Sequence, residues 1–293
     1  MTVNTRVLVN DFTYHVPATL EEALRFLDEH GADAEVLAGG TDLIIQMKLG
    51  RRSPKFVVDI SKLDELKHLE AGDKVRLGAG RRYMDVLPYL RDLGRCDSLA
   101  EAIDSIGKLQ VLSVATIGGN LGNGSPAADT PPPLITYDAT VRVMSVHQER
   151  KIPLREFHTG PGTTVMAPNE LIVDVEWDAF PAGKASAFRK LTRVASDISK
   201  VTCAVAVQRD GDTCTLCRIA LGAVGPTPMR AGSAEVALEG QDVGDALIEE
   251  CARLVVEDVS PIDDIRCTEV YRREAAGVLF RDAFQTAWER ATC

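Results

Sequence analysis

Two stretches of the chain carry paired glycines beside small hydroxyl or amide side chains: Ala38-Gly39-Gly40-Thr41-Asp42 and Ala115-Thr116-Ile117-Gly118-Gly119-Asn120. Glycine lets a backbone approach a ligand closely and adopt positive φ, so successive amides can point at one anion. The threonines and the asparagine add side-chain donors. Either stretch alone is equally well read as a tight turn. Their pairing, with Ser125-Pro126-Ala127-Ala128-Asp129 following the second, reads as two grips on one extended, phosphate-bearing cofactor.

Other chemistry-bearing residue types are poorly arranged. Gly78-Ala79-Gly80-Arg81-Arg82-Tyr83 begins like a dinucleotide fingerprint, but its third glycine position is Tyr83 and no strand with an acidic end follows, so it reads as a strand-to-helix turn. No GxxxxGK[ST] loop, HExxH pair or GxSxG elbow occurs, and the five histidines show no ligand spacing. Cys214-x-x-Cys217 lacks a second pair, and on a strand its two sulfurs would point to opposite faces, which argues against a metal. Two cradles without a nucleophile or acid–base pair suggest a protein that holds a cofactor able to do the chemistry itself.

The elements that must position these cradles are legible in outline. A helix is predicted over 17–31, with Thr19 capping its start, Leu20, Ala23, Leu24 and Leu27 on one face, and Gly31 closing its end. Strands are predicted at 35–38, 56–60 and 74–77, then helices over 84–93 and 99–106. Residues 116–133, rich in Gly, Asn and Pro, read as a long functional loop. Strands follow at 139–146, 170–177 and 185–191, then a hairpin of 201–209 and 213–221 around Asp210-Gly211, and two helices near 245–257 and 269–290. Interleaving without a βαβ rhythm predicts an α+β fold, with a linker at Phe180-Pro181-Ala182-Gly183.

The bulk properties exclude several classes. The 293 residues exceed the usual single-domain size, and 45% hydrophobic content excludes wholesale disorder. A formal charge of -10 gives no electrostatic reason to bind nucleic acid or an anionic membrane. The N-terminus lacks the pattern of a signal peptide, and no apolar run reaches the roughly 18 residues of a membrane span. Seven scattered cysteines fit a reducing compartment, so a cytoplasmic location is expected.

The motifs also carry a resemblance. Ala38 to Lys48 resembles the first FAD-binding motif of the molybdenum hydroxylase flavoproteins, and Thr116 to Asn120, continued through Asp129, resembles the second. That family includes the medium subunit of aerobic carbon monoxide dehydrogenase and the FAD domain of xanthine dehydrogenase. The likeness continues in Phe188-Arg189-Lys190 with Asp197-Ile198, in Arg218 to Gly222 with Pro226-Thr227-Pro228, and in Asp264-Ile265-Arg266 with Tyr271-Arg272. It spans almost the whole chain, as a stand-alone medium subunit would. It implies a two-subdomain FAD-binding domain of the vanillyl-alcohol-oxidase-like (PCMH) type over 1–178, with subdomains of about 1–60 and 61–178. A C-terminal domain over 184–293, with a three-stranded antiparallel sheet and helices, would follow.

The resemblance implies roles residue by residue. Val36, Leu37, Ala38, Gly39, Gly40, Thr41, Asp42 and Leu43 would cradle the FAD pyrophosphate. Thr116, Gly118, Gly119, Asn120 and Asn123 would hold the phosphate–ribityl region from the other side, and Asp129 matches an acidic FAD contact. Ile106 and Gly107 sit where the family packs the adenine half, and Ile172 matches an apolar residue against the isoalloxazine. Arg189 or Lys190 would bring a positive charge near the flavin, and the sequence leaves open which.

The implied activity is electron transfer. Substrate would be oxidised at a molybdopterin on a large partner subunit, electrons would cross [2Fe–2S] clusters on a small one, and FAD here would pass them to an external acceptor. A dimer of heterotrimers is the implied assembly. No histidine lies in either motif, so the FAD is expected to be non-covalent, and Cys96 alone in the flavin domain predicts no iron–sulfur cluster in this chain. The rival readings are a self-contained FAD-dependent reductase of similar fold, and a binding module that has lost FAD.

Overall fold

The computed structural model of the protein describes residues 8, 10–181 and 183–291. Ala182, inside the expected linker, and Cys293 lie outside the described residues, as do most of the first nine. The fold is α+β.

The first unit is built by β1 (Thr13–His15), α1 (Leu20–His30), β2 (Ala34–Leu37), α2 (Leu43–Lys48) and β3 (Phe56–Asp59). Thr19 caps α1 by accepting from the Glu22 amide, and Gly31 ends it at φ 48°. The apolar face of α1 buries Ala23, Leu24 and Leu27 against Val58 and Ile60. Each leucine so buried contributes about 2 kcal/mol. The strands form a parallel sheet in the order β1-β3-β2. The helix α2 was not expected from the sequence.

The second unit contains β4 (Leu69–Ala71), β5 (Lys74–Gly78), α3 (Tyr83–Leu93), α4 (Asp97–Asp104), α5 (Leu109–Leu112), α6 (Ile117–Asn123) and α7 (Pro131–Thr136). It is completed by β6 (Thr140–Met144), β7 (Glu149–Pro153), a small ribbon of β8 (His158–Gly160) and β9 (Thr163–Thr164), and β10 (Leu171–Asp178). Its sheet runs β4-β5-β10-β6-β7. The segment 116–133, expected as one long loop, instead holds α6 and α7. Thr116 supplies a helix cap that outweighs two glycines, and three prolines open α7, where missing amide hydrogens cost nothing.

The third unit comprises β11 (Lys184–Leu191), β12 (Val201–Asp210), β13 (Thr213–Gly222), β14 (Met229–Arg230), α8 (Gly232–Leu238), α9 (Asp245–Asp258) and α10 (Glu269–Arg290). The expected three-stranded sheet has four strands, because two-residue β14 pairs with Ala220 and Leu221. Two residues carry too little periodicity to register as a strand. The hairpin exists, and its two-residue loop is Gly211-Asp212, with Gly211 at φ 59°. Its register jumps between Gln208 and Arg209, which leaves Thr215 unpaired as a bulge. Cys214 and Cys217 therefore face the same core, against the alternation expected for a strand, and both are fully buried. Burial holds the Cys217 thiol well above its ordinary pKa. Among the described residues no group of three metal-binding side chains assembles.

The third unit is joined to the second through α4 and β11. The Phe188 amide donates to Glu101 at 2.7 Å, and Tyr137 bridges Ser98 at 2.7 Å and Ser186 at 3.2 Å. This seam sets the position of the end of β11, and hence of Lys190.

Candidate functional site

The first cradle follows from how β2 ends. The Leu37 carbonyl accepts from the Ile60 amide at 3.0 Å, and the chain then turns away from the sheet. Gly40 makes that turn at φ 71°, a conformation that side chains disfavour. Among the described residues, the amides of Gly39 through Leu43 donate to no protein acceptor; the first to do so, Ile44, reaches the Gly40 carbonyl at 3.2 Å. Five donors are thus left at the carboxyl end of a parallel sheet, where open α/β sheets place their ligands. Burial raises the Asp42 carboxyl above its ordinary pKa, opposed by a hydrogen bond from Thr41.

The second cradle is the opening turn of α6. The Thr116 hydroxyl accepts from the Gly119 amide at 3.1 Å, and the Gly118 amide donates to Ala79 at 3.0 Å. A β-carbon on Gly119 would stand 3.8 Å from Ala38, so the bare glycine faces the first cradle. A β-carbon on Gly118 would stand 2.6 Å from that of Ala79, so this glycine serves packing beneath the site. Gly39 does likewise, since its β-carbon would lie 2.1 Å from the Val114 carbonyl. Gln46 on α2 donates to Asn123 at 3.2 Å and ties the two cradles together. Asn120 accepts from Thr130 at 2.6 Å, which holds its amide in place.

One end of this groove is closed by a charged pair. Lys190 donates to Asp129 at 2.7 Å, the two side chains only 8% and 10% exposed, and Ser199 donates to the other carboxylate oxygen. Burial pushes the Asp129 carboxyl up, against the pull of Lys190 and Ser199. Lys190 also donates to the Ser105 carbonyl at 3.2 Å, beside Ile106 and Gly107, the latter at φ 56°. Ile172 is buried, and a β-carbon on Gly122 of α6 would stand 3.5 Å from it.

The structure thus assembles Val36 to Leu43 with Thr116 to Asn123, and Asp129 with Lys190 and Ile106. It does not bring Arg189 there. That side chain turns to Thr286 on α10 and the Phe188 carbonyl. Neighbours on a strand point to opposite faces, so Lys190 turns to Asp129 and Arg189 away from it. Ile106 was expected by the adenine and either Arg189 or Lys190 by the flavin; Lys190 donates to the carbonyl of Ser105, the residue before Ile106. Thr130 and Ser199 escaped the sequence reading; adjacency to Asp129 and to Asp197-Ile198 was the only signal.

The residues fit a dinucleotide: five unpaired amides, a bare glycine opposite them and a shielded cation at one end. Comparisons agree. Residues 10–177 match the model of the FAD binding domain in molybdopterin dehydrogenase, and residues 186–287 match the CO dehydrogenase flavoprotein C-terminal domain. The chain belongs to this family. The carbon monoxide dehydrogenase medium chain of Hydrogenophaga pseudoflava is 32% identical over 95% of this flavoprotein chain and 98% of its own. The glyceraldehyde dehydrogenase medium chain of Sulfolobus acidocaldarius is also 32% identical, over 94% and 98%. A solved carbon monoxide dehydrogenase from Hydrogenophaga pseudoflava, lacking the Mo-pyranopterin moiety of its molybdenum cofactor, superimposes with a TM-score of 0.93 at 33% identity. That match covers 96% of this chain and 98% of the other.

Proposed function

We propose that this flavoprotein carries non-covalent FAD as the medium subunit of a molybdopterin dehydrogenase, receiving electrons from a small [2Fe–2S] subunit after substrate oxidation on a large one. The observation that carries this reading is the opposed pair of cradles, with unpaired amides from Gly39 to Leu43 facing Gly119. When bound, FAD would supply the electron acceptance and donation that no side chain here provides. The amides and the Thr41 hydroxyl would hold its pyrophosphate, with Thr116 fixing the opposite wall and Asn120 and Asn123 contributing polar edges. Lys190, positioned by Asp129 and Ser199, would place a shielded positive charge beside the isoalloxazine, with Ile172 and Ile106 as apolar neighbours. Such a charge favours added electrons in a partly dry site.

The relatives named above are medium chains of dehydrogenases, which supports the subunit reading over a self-contained reductase. Their names span carbon monoxide and glyceraldehyde, consistent with substrate choice lying outside this subunit. The flavin-binding part would occupy 1–178 and the C-terminal part 184–293. A cytoplasmic dimer of heterotrimers with an external acceptor completes the proposal; among the described residues no helix is long and apolar enough to cross a membrane. The test is an absorption spectrum of the purified chain, with chromatography of the cofactor released on denaturation. Flavin bands and free FAD are expected. A colourless chain that takes up no FAD, alone or with its partner subunits, would overturn the reading.

A further inference from the structure

In the third unit, β13 ends at Gly222, and Ala223 follows at φ 62°. Alanine adopts this left-handed conformation at a cost and keeps it only where its surroundings over-determine it. Its amide donates to the Pro126 carbonyl at 2.8 Å, and its carbonyl accepts from Arg272 on α10 at 3.0 Å. The Val224 carbonyl beside it accepts from the Ser260 amide at 2.9 Å. Arg272 is only 5% exposed, and its other terminal nitrogen donates to Asp264 at 2.7 Å. Asp264 also accepts from the amides of Arg266 at 2.8 Å and Cys267 at 3.0 Å. Among the described residues, Arg272 Nε is buried without an acceptor. The core positions that follow on the helix, Ala275, Ala276, Leu279 and Phe280, are apolar. A guanidinium buried with one donor unmet is a poor choice for packing alone.

The Ala223 peptide joins Arg272 to the segment that carries Asp129. Pro126 lies inside a turn in which the Ala128 amide donates to the Ser125 carbonyl at 3.0 Å, and Asp129 follows directly. Gly222 is pressed on the same segment: its β-carbon would lie 2.5 Å from the Thr202 hydroxyl, 3.2 Å from Pro132 and 3.6 Å from the Ala128 carbonyl. Asp129 in turn holds Lys190 and Ser199. We infer that Arg272 is a positioning residue: by gripping Ala223 it fixes the 125–129 turn, and through it the Asp129–Lys190 pair at the end of the groove. A carboxylate displaced from Lys190 would leave a nearly buried cation unpaired, which would drive that cation out of its place. The inference rests on the flavin-binding reading above and extends it to α10. Among the described residues, no hydrogen bond links Arg272 to either cradle.

The full chain is compared with Arg272→Met, with partner subunits added where FAD uptake needs them. Methionine keeps an apolar stem, and Asp264 retains two amide donors, so the thermal midpoint should stay close to wild type. FAD should be held about 10-fold more weakly, the loss of one charge-assisted contact, and Arg272→Lys should lie between. In an Asp129→Asn background the same substitution should change FAD affinity by less than about twofold, because both act along one line of contacts. In the flavin-free chain the Ala223 amide should exchange with deuterium about 10-fold faster, while the amides of β5 and β6 keep their wild-type rates. Unchanged FAD affinity in folded Arg272→Met, or an effect that adds in full to that of Asp129→Asn, would overturn the inference and leave the flavin reading standing. Unchanged exchange at Ala223 would do the same. If Arg272→Met does not fold, Asp264→Asn, which loosens the same guanidinium, is read by the same measurements with a smaller expected effect. A wild-type chain that binds no FAD, alone or with its partners, would remove both readings.

Discussion

The two Gly-Gly pairs look alike in sequence and are put to the same division of labour by different local structures. In the first, Gly39 is pressed against the Val114 carbonyl while Gly40 turns the chain at φ 71°. In the second, Gly118 is pressed against Ala79 while Gly119 faces the groove. One glycine of each pair is pressed against a neighbouring segment, while the other turns the chain or faces the opposite cradle. The supports differ, because the first cradle is a loop with free amides and the second is a capped helical turn. The two glycines of a pair therefore need not be required for the same reason.

Substitutions can break this comparison, beginning with the packing glycines. Gly39→Ala would force a β-carbon onto the Val114 carbonyl and should cost about 3 kcal/mol, at the upper end of overpacking penalties, with loss of flavin. A thermal midpoint close to wild type would show that the contact is soft. Gly119→Val should give the opposite outcome, a folded protein that purifies without FAD, because a branched side chain would occupy the gap toward Ala38. Stoichiometric FAD in that variant would remove the ligand-side role of Gly119. Thr116→Ala deletes the α6 cap and should destabilise by about 1 kcal/mol in denaturant unfolding, with weakened but measurable FAD binding.

The smallest effect is a pH dependence. His158 Nε2 donates to the Leu121 carbonyl at 3.0 Å, and burial lowers the pKa of its imidazole. In the folded protein the ring stays neutral where the unfolded chain already takes up a proton. Stability from this group is therefore present above about pH 6.5 and falls as pH drops toward the folded value, by at most about 1.4 kcal/mol per pH unit. Acid unfolding curves of His158→Phe should be flatter across that window. An unchanged slope would show that His158 does not carry it.

Much of the fold could be read without coordinates, wherever side-chain periodicity matched burial. Thr19 and Gly31 bounded α1, and its apolar stripe found the first core. The long helix α10 and the β12–β13 hairpin were likewise legible. What failed was structure held by contacts distant in sequence. The 116–133 segment folds into helices because Ala79 and Thr116 make a place for glycines there, and the Thr215 bulge turns Cys214 onto the face of Cys217.

The site divides in the same way. Glycines, threonines and an acidic residue in two separated stretches determined that a phosphate-bearing cofactor was to be held, since no other residue types suit amides to an anion so closely. That Lys190 meets Asp129 while Arg189 turns to Thr286 was decided only by the strand's facing and the seam at α4. That Gly39 and Gly118 serve packing, and that Arg272 grips the Ala223 carbonyl, follows from elements far apart in the chain meeting in space. Local residue chemistry fixes what can be bound. Only tertiary packing fixes which donors remain free to bind it.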